Sequence, residues 1–147
     1  MLTKRINIKE VSPDAYKAMM ALENYIEKAN LNPLYKELIK IRSSQINGCA
    51  YCIDMHTRDA KKLGESERRI YALSVWHESP LFSEEERTLL SATDEITNLS
   101  IKGLSEETYN NLTKYFDPLA IAEIIMIVIT INSWNRIAVS THMEYEE

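Results

Sequence analysis

The two cysteines of the chain lie three residues apart in Cys49-Ala-Tyr-Cys52, and His56 follows the second by four. On a helix, positions 49, 52 and 56 share one face. Asn47-Gly48 breaks whatever helix precedes it, so the pattern predicts Cys49 at the start of a new one. Unpaired backbone N–H groups and the positive end of the helix dipole both favour a thiolate there. His56, one turn beyond Cys52, is placed to exchange a proton with it. A dithiol in such surroundings with a base beside it is a redox constellation.

A carboxylate can complete it. Glu37 lies eleven residues before Gly48 and His56 eight after it. If the two helices fold back on each other, these residues stand about 16 and 12 Å from the turn, an offset a Glu side chain spans. Glu37 would then hold the imidazole tautomer and support His56 as the base. By the same count Ser44 is level with Cys52. Blander readings compete. Glu37 alone would be a solvated surface residue, and two cysteines can simply be core residues. A zinc site would need all of Cys49, Cys52, His56 and Glu37, because no second cysteine pair exists. Ile53 after the second cysteine argues against covalent haem attachment. His77 and His142 have no thiol or carboxylate at a matching helical offset and read as surface or satisfied core residues.

The elements that must position these groups are helical. Hydrophobic residues make up 45% of the 147, and Gly and Pro are scarce at 3 and 4, which points to an all-α chain. Cap signals predict about six or seven helices. Ser12-Pro13 opens one over about 13–29 and Asn32-Pro33 one over 33–46. The motif helix covers about 49–63, antiparallel to its predecessor, and a short one runs from Ser66 to about Ser74. Ser83 and Glu86 form a capping box for 84–97. Ser105 caps about 106–115, and Asp117-Pro118 opens the longest, 118–142. Residues 1–11 read as an extended arm. No linker or repeat divides the chain, so residues 1–147 read as one domain.

The formal net charge is -5 with both signs interspersed, which argues against nucleic acid as a partner. The N-terminus lacks the apolar run of a signal peptide, so the chain reads as cytoplasmic. In that reducing setting a close cysteine pair is catalytic or metal-binding more often than structural. Leu119 to Ile131 is apolar except for Glu123 and Thr130, too short a run to cross a bilayer, so no membrane is expected. A helix apolar almost all round must be buried all round. That predicts a homo-oligomer contacting through this helix, or else a central core helix in a monomer.

Glu37, Cys49, Cys52 and His56, at this spacing, resemble the signature of the AhpD-like alkylhydroperoxidases of the carboxymuconolactone decarboxylase superfamily. Arg42-Ser-Ser-Gln-Ile-Asn-Gly-Cys-Ala-Tyr-Cys52, Trp76-His-Glu-Ser-Pro-Leu-Phe82 and Ile131-Asn-Ser-Trp-Asn-Arg136 are similar to its small single-domain members. The resemblance covers roughly residues 10–142. It implies an all-helical AhpD-like fold and a trimer or hexamer. It also implies a peroxidatic Cys52, a resolving Cys49 and a Glu37–His56 proton relay, with a Cys49–Cys52 disulfide formed in turnover. The partners it implies are a hydroperoxide and an external dithiol or thioredoxin-like reductant, with no metal or organic cofactor. Where some members carry a second relay histidine, this chain has Tyr51, a poor base near neutrality. Dithiol–disulfide exchange, a non-enzymatic redox sensor and, further off, decarboxylase-like chemistry on a small organic acid are the alternatives. Asn132, Asn135 and Arg136 are candidate orienting groups near the pocket or an interface, or equally a polar cluster at the helix end.

Overall fold

Capping residues start nearly every helix of the chain. The computed structural model describes residues 2–145, and among these all regular structure is helical. Asn7 accepts from the Lys9 N–H and opens a single turn, α1 (Ile8–Val11), within what the sequence suggested was an extended arm. With no apolar periodicity in so short a piece, only the cap could have revealed it. Its last turn is closed by the Ser12 N–H, and the Ser12 side chain makes no cap bond to α2 (Pro13–Lys28). Pro13 begins α2 instead, its fixed φ suited to a first helical position.

Asn32 accepts from Leu34 N–H at the head of α3 (Pro33–Asn47). Gly48 ends α3 in the left-handed conformation, φ 67°, which a residue with a Cβ adopts only under strain. The chain reverses there into α4 (Ala50–Lys62). Next come α5 (Glu67–Ala72) and a 3₁₀ turn, Leu73–Val75, in place of one continuous helix to Ser74. The Ser83–Glu86 capping box opens α6 (Glu84–Thr97). Ser105 caps α7 (Glu106–Leu112), and Asp117 caps α8 (Pro118–Thr141). The eight α-helices of the described residues thus exceed the expected six or seven by the α1 turn.

α3 is the hub, packed against α4, α8 and α6. One core cluster joins Ile26 and Ile39 to Leu89, Leu112 and the α8 residues Ile124, Ile127 and Val128. A second joins Leu38 and Ile41 to Leu73, Trp76, Phe82 and Leu90. Apolar burial of this extent supplies most of the folding drive, since a fully buried Leu or Ile is worth about 1.5–3 kcal/mol. α8 is long and apolar enough to cross a membrane by length and composition, yet here it packs on α2, α3, α4 and α6. Buried Glu123 accepts from the Asn30 N–H at 3.4 Å. The helix is not buried all round, because Leu119, Ile129 and Val139 remain exposed.

Candidate functional site

The α3–α4 turn builds the site. Gly48 N–H donates to Gln45 O, and Cys49 N–H to Ser44 O at 2.9 Å. Cys49 is the N-cap of α4, and its Sγ accepts from the Cys52 N–H at 3.3 Å. The two cysteines form a disulfide with Cα atoms 5.4 Å apart. Both are buried, and they pack with Ile131 and Ala138 of α8, flanked by Tyr51 and Trp134.

His56 Nδ1 lies 3.0 Å from Glu37 Oε2. The expected offset between antiparallel helices is therefore closed by direct contact. A carboxylate at Nδ1 selects the tautomer protonated there and leaves Nε2 as the basic nitrogen. Lys40 Nζ donates to the other Glu37 oxygen at 3.4 Å. Cys52 and His56 together line a cavity of about 290 Å³. Its walls are Tyr16, Tyr51, Met55 and Trp134, with Glu23 and Asp59 also reaching it. Trp134 Nε1 donates to Glu23 at 2.7 Å, bridging α8 to α2, and Tyr16 meets the same indole edge-on at 6.0 Å.

Glu23, Tyr16, Trp134, Met55 and Asp59 escape a reading of the motif. Asp59 and Met55 could have been found as helical neighbours of His56. Glu23 and Trp134 lie 111 residues apart, and no local pattern links them.

Side-chain ligand atoms of Glu37, His56 and Asp59 fall within 4.8 Å of one another. The cysteine sulfurs are bonded to each other, so in this oxidised form they are not available as ligands beside His56 and Glu37. Lys40 neutralises Glu37, and Lys62 Nζ neutralises Asp59 at 3.1 Å. The chemistry of that donor set suits proton handling better than cation binding.

Asn132 and Asn135 do not line the cavity. Both accept from Asn47 Nδ2 at 2.9 Å, and Asn135 donates to Ser44 Oγ. Arg136 NH1 donates back to Asn132. This network clamps the end of α3 to α8 and so positions the motif turn. His77 is a surface residue, as expected: it stacks on Trp76 at 4.4 Å and reaches Asp94 at 3.7 Å, away from the cavity. His142 ends α8 in the left-handed conformation, and its Nδ1 faces Thr3 O at 2.7 Å.

The sequence pattern of the Carboxymuconolactone decarboxylase family matches residues 13–95. The chain is 41% identical over 139 residues, 95% of each chain, to the uncharacterised protein YdfG of Bacillus subtilis (strain 168). A protein of unknown function from Agrobacterium tumefaciens, provisionally designated the antioxidant defence protein AhpD, superposes with a TM-score of 0.95 at 41% identity over 99% of each chain. The debrominase Bmp8 shares the fold, with a TM-score of 0.81 at 24% identity over 93% of this chain and 74% of its own. The site thus pairs a helix-capping cysteine disulfide with a carboxylate-held histidine on an all-helical fold. The chain is a member of the Carboxymuconolactone decarboxylase family with an AhpD-like fold.

Proposed function

We propose that the protein is a thiol-dependent peroxidase. One observation carries the proposal: a Cys52 able to pair with Cys49 shares its cavity with a His56 whose far nitrogen is held by Glu37. In the reduced enzyme, the Cys52 thiolate attacks the terminal oxygen of a hydroperoxide. The O–O bond breaks, the alkoxide leaves, and His56 delivers its proton, giving the alcohol and a Cys52 sulfenic acid. The Cys49 thiol condenses with it, releasing water and forming the disulfide. An external dithiol, small or thioredoxin-like, then reduces the pair by exchange and becomes a disulfide itself. Tyr51 stands where a second relay histidine would be, so the relay is Glu37–His56 alone.

The helix position supports the thiolate, because Cys52 lies in the first turn of α4, where backbone N–H groups and the dipole favour negative charge. The test is peroxide consumption with several dithiol reductants, comparing the parent with Cys52→Ser. Loss of turnover in the variant is expected. Equal turnover, or none in the parent with any reductant, leaves dithiol–disulfide exchange or redox sensing as the activity of the pair.

The chain is also proposed to act as a homo-oligomer in the cytoplasm, joined through apolar side chains that α8 leaves exposed. Leu119, Ile129 and Val139 are 63%, 42% and 47% exposed. Ile125 is partly buried against the core, so Ile129→Glu is the cleaner probe. Light scattering is expected to show more than the 17.0 kDa of one chain, and Ile129→Glu to return it toward that mass.

A further inference from the structure

The cavity that joins Cys52 to His56 has an unbalanced charge. Two carboxylates reach it, and no Lys or Arg lines it. Asp59 is answered by Lys62 at 3.1 Å. Glu37, behind His56, is answered by Lys40 at 3.4 Å. The hydrogen bond to Glu23 comes from a neutral donor, the Trp134 indole N–H, and among the described residues no cation pairs with it. Glu23 is half-buried, so its charge is only partly screened by water. Anything that occupies this cavity beside Cys52 shares it with a carboxylate that no cation answers.

The volume and walls narrow the choice further. About 290 Å³ is at the small end of ligand pockets. Three aromatic rings and two methionines, Met55 and Met143, make the lining apolar and polarisable. A compact apolar body fits such walls, and a long acyl chain with a carboxylate at its end does not.

We propose that Glu23 is a charge filter that restricts the site to compact, uncharged hydroperoxides and turns anionic ones away. The proposal rests on the peroxidase reading for the identity of the substrate, but not for the filter itself. Glu23 takes no part in the bond-making steps; it is a specificity-determining residue acting through its field. Two like charges separated by several ångströms in a half-buried site repel strongly enough to change a rate about tenfold after screening.

Thiol alkylation tests the filter without reference to peroxide. In a reduced Cys49→Ser chain, Cys52 is the one remaining thiol, and iodoacetamide and iodoacetate differ by a charge at similar size. The ratio of their rates, neutral over anionic, is expected to exceed that of 2-mercaptoethanol by about tenfold. Adding Glu23→Gln, whose amide oxygen still accepts from Trp134 Nε1, should bring the ratio down by about that factor. Glu23→Asp, which keeps the charge, should preserve most of it. A ratio unchanged by Glu23→Gln overturns the filter, because damage to the pocket would slow both reagents together. Should the Gln variant fail to fold, salt replaces it: the parent ratio must fall toward that of 2-mercaptoethanol by molar salt, and a constant ratio overturns the filter.

A second arm uses the dithiol protein with cumene hydroperoxide and its para-carboxylate. Glu23→Gln should raise kcat/KM for the carboxylated peroxide about tenfold and leave the neutral one little changed. Absence of turnover with both in the parent counts against the peroxidase reading, while the alkylation ratio still decides the filter.

Discussion

Two regions of the molecule bring carboxylates and cations together out of water, and they end differently. At the corner between α5 and α6, Arg69 donates to Glu65 at 2.8 Å, to Glu86 at 2.5 Å and to the Leu81 carbonyl, with its guanidinium over the Phe82 ring. Glu86 also accepts from the Ser83 N–H as half of the capping box. Close by, Asp94 takes both forks of Arg42 and the Trp76 indole N–H. Every strong group there is answered by another, which makes the corner a clasp. At the α3–α4 hairpin the accounting is left open. Among the described residues, His56 is hydrogen-bonded through Nδ1 alone, and the ring lines a cavity it shares with Cys52. What separates a structural cluster from a reactive one is a polar atom left over against empty space.

The largest test removes that leftover atom. His56→Ala is expected to slow Cys52 alkylation by iodoacetamide at pH 7 by up to about 30-fold, the ceiling set by the roughly 3% thiolate that a thiol with a pKa near 8.5 carries unaided at that pH. The gap should close well above about pH 8.5, where a thiolate forms unaided. Glu37→Gln should act in the same direction and less, since it only orients the ring. Both variants should stay folded, and equal rates in all three proteins would make the hairpin as inert as the corner.

Arg69→Met reverses the pattern. It strands Glu65 and Glu86 without their cation, and removing one partner of such a cluster is expected to destabilise by about 3 kcal/mol. Thermal melting should register this while peroxide turnover at 25 °C stays near parental. A loss of turnover with no loss of stability would mean that the two regions are coupled.

Gly48→Ala probes the hairpin's own structural requirement. No neighbour lies within 4 Å of an added Cβ, so only the left-handed backbone opposes it. The expected loss is about 1 kcal/mol, and a much larger one would reveal strain passed on to the cysteine turn.

The smallest effect is with pH. Burial on its own would raise the Glu86 pKa, but hydrogen bonds from Arg69 and Ser83 outweigh it and hold the carboxyl below its ordinary 4.5. Glu95 is held down likewise against burial by Ser105 and Thr108. Between the folded and unfolded values the unfolded chain binds more protons. The stability these groups supply is therefore complete above about pH 4.5 and is lost as pH falls through their folded values. Arg69→Met should flatten this acid slope, measured by denaturant titration from pH 6 downward, and His56→Ala should not.

How legible each region was follows from the range of its contacts. The hairpin was readable because its chemistry is local: Glu37 and His56 flank one turn, and the rise per residue brings them within side-chain reach of each other. The helices were readable wherever a cap announced them, as at Asn32, Ser83 and Asp117. The cavity was not. Glu23, Tyr16 and Trp134 come from α2 and α8, and nothing in a single sequence says that these two helices close over α4. The Asp94 cluster stayed hidden for the same reason, since His77 finds its carboxylate on another helix. Asn132 and Asn135 were read as orienting groups near the pocket or as a polar cluster at the helix end, and only packing reveals that they clamp α3.

The bridge from Trp134 to Glu23 has an optical consequence. The chain contains two tryptophans, and they report from different places. Trp134 borders the cavity that Cys52 lines, whereas Trp76 is packed in the second core with Leu38 and Phe82. A disulfide beside an indole quenches its emission by electron transfer from the excited ring, and a dithiol does so far less. Trp134 is therefore placed to report whether the cysteine pair is oxidised or reduced. Trp134 is expected to brighten on reduction over a steady background from Trp76, and an emission titration against a thiol buffer would check this and read the midpoint potential of the cysteine pair without a label.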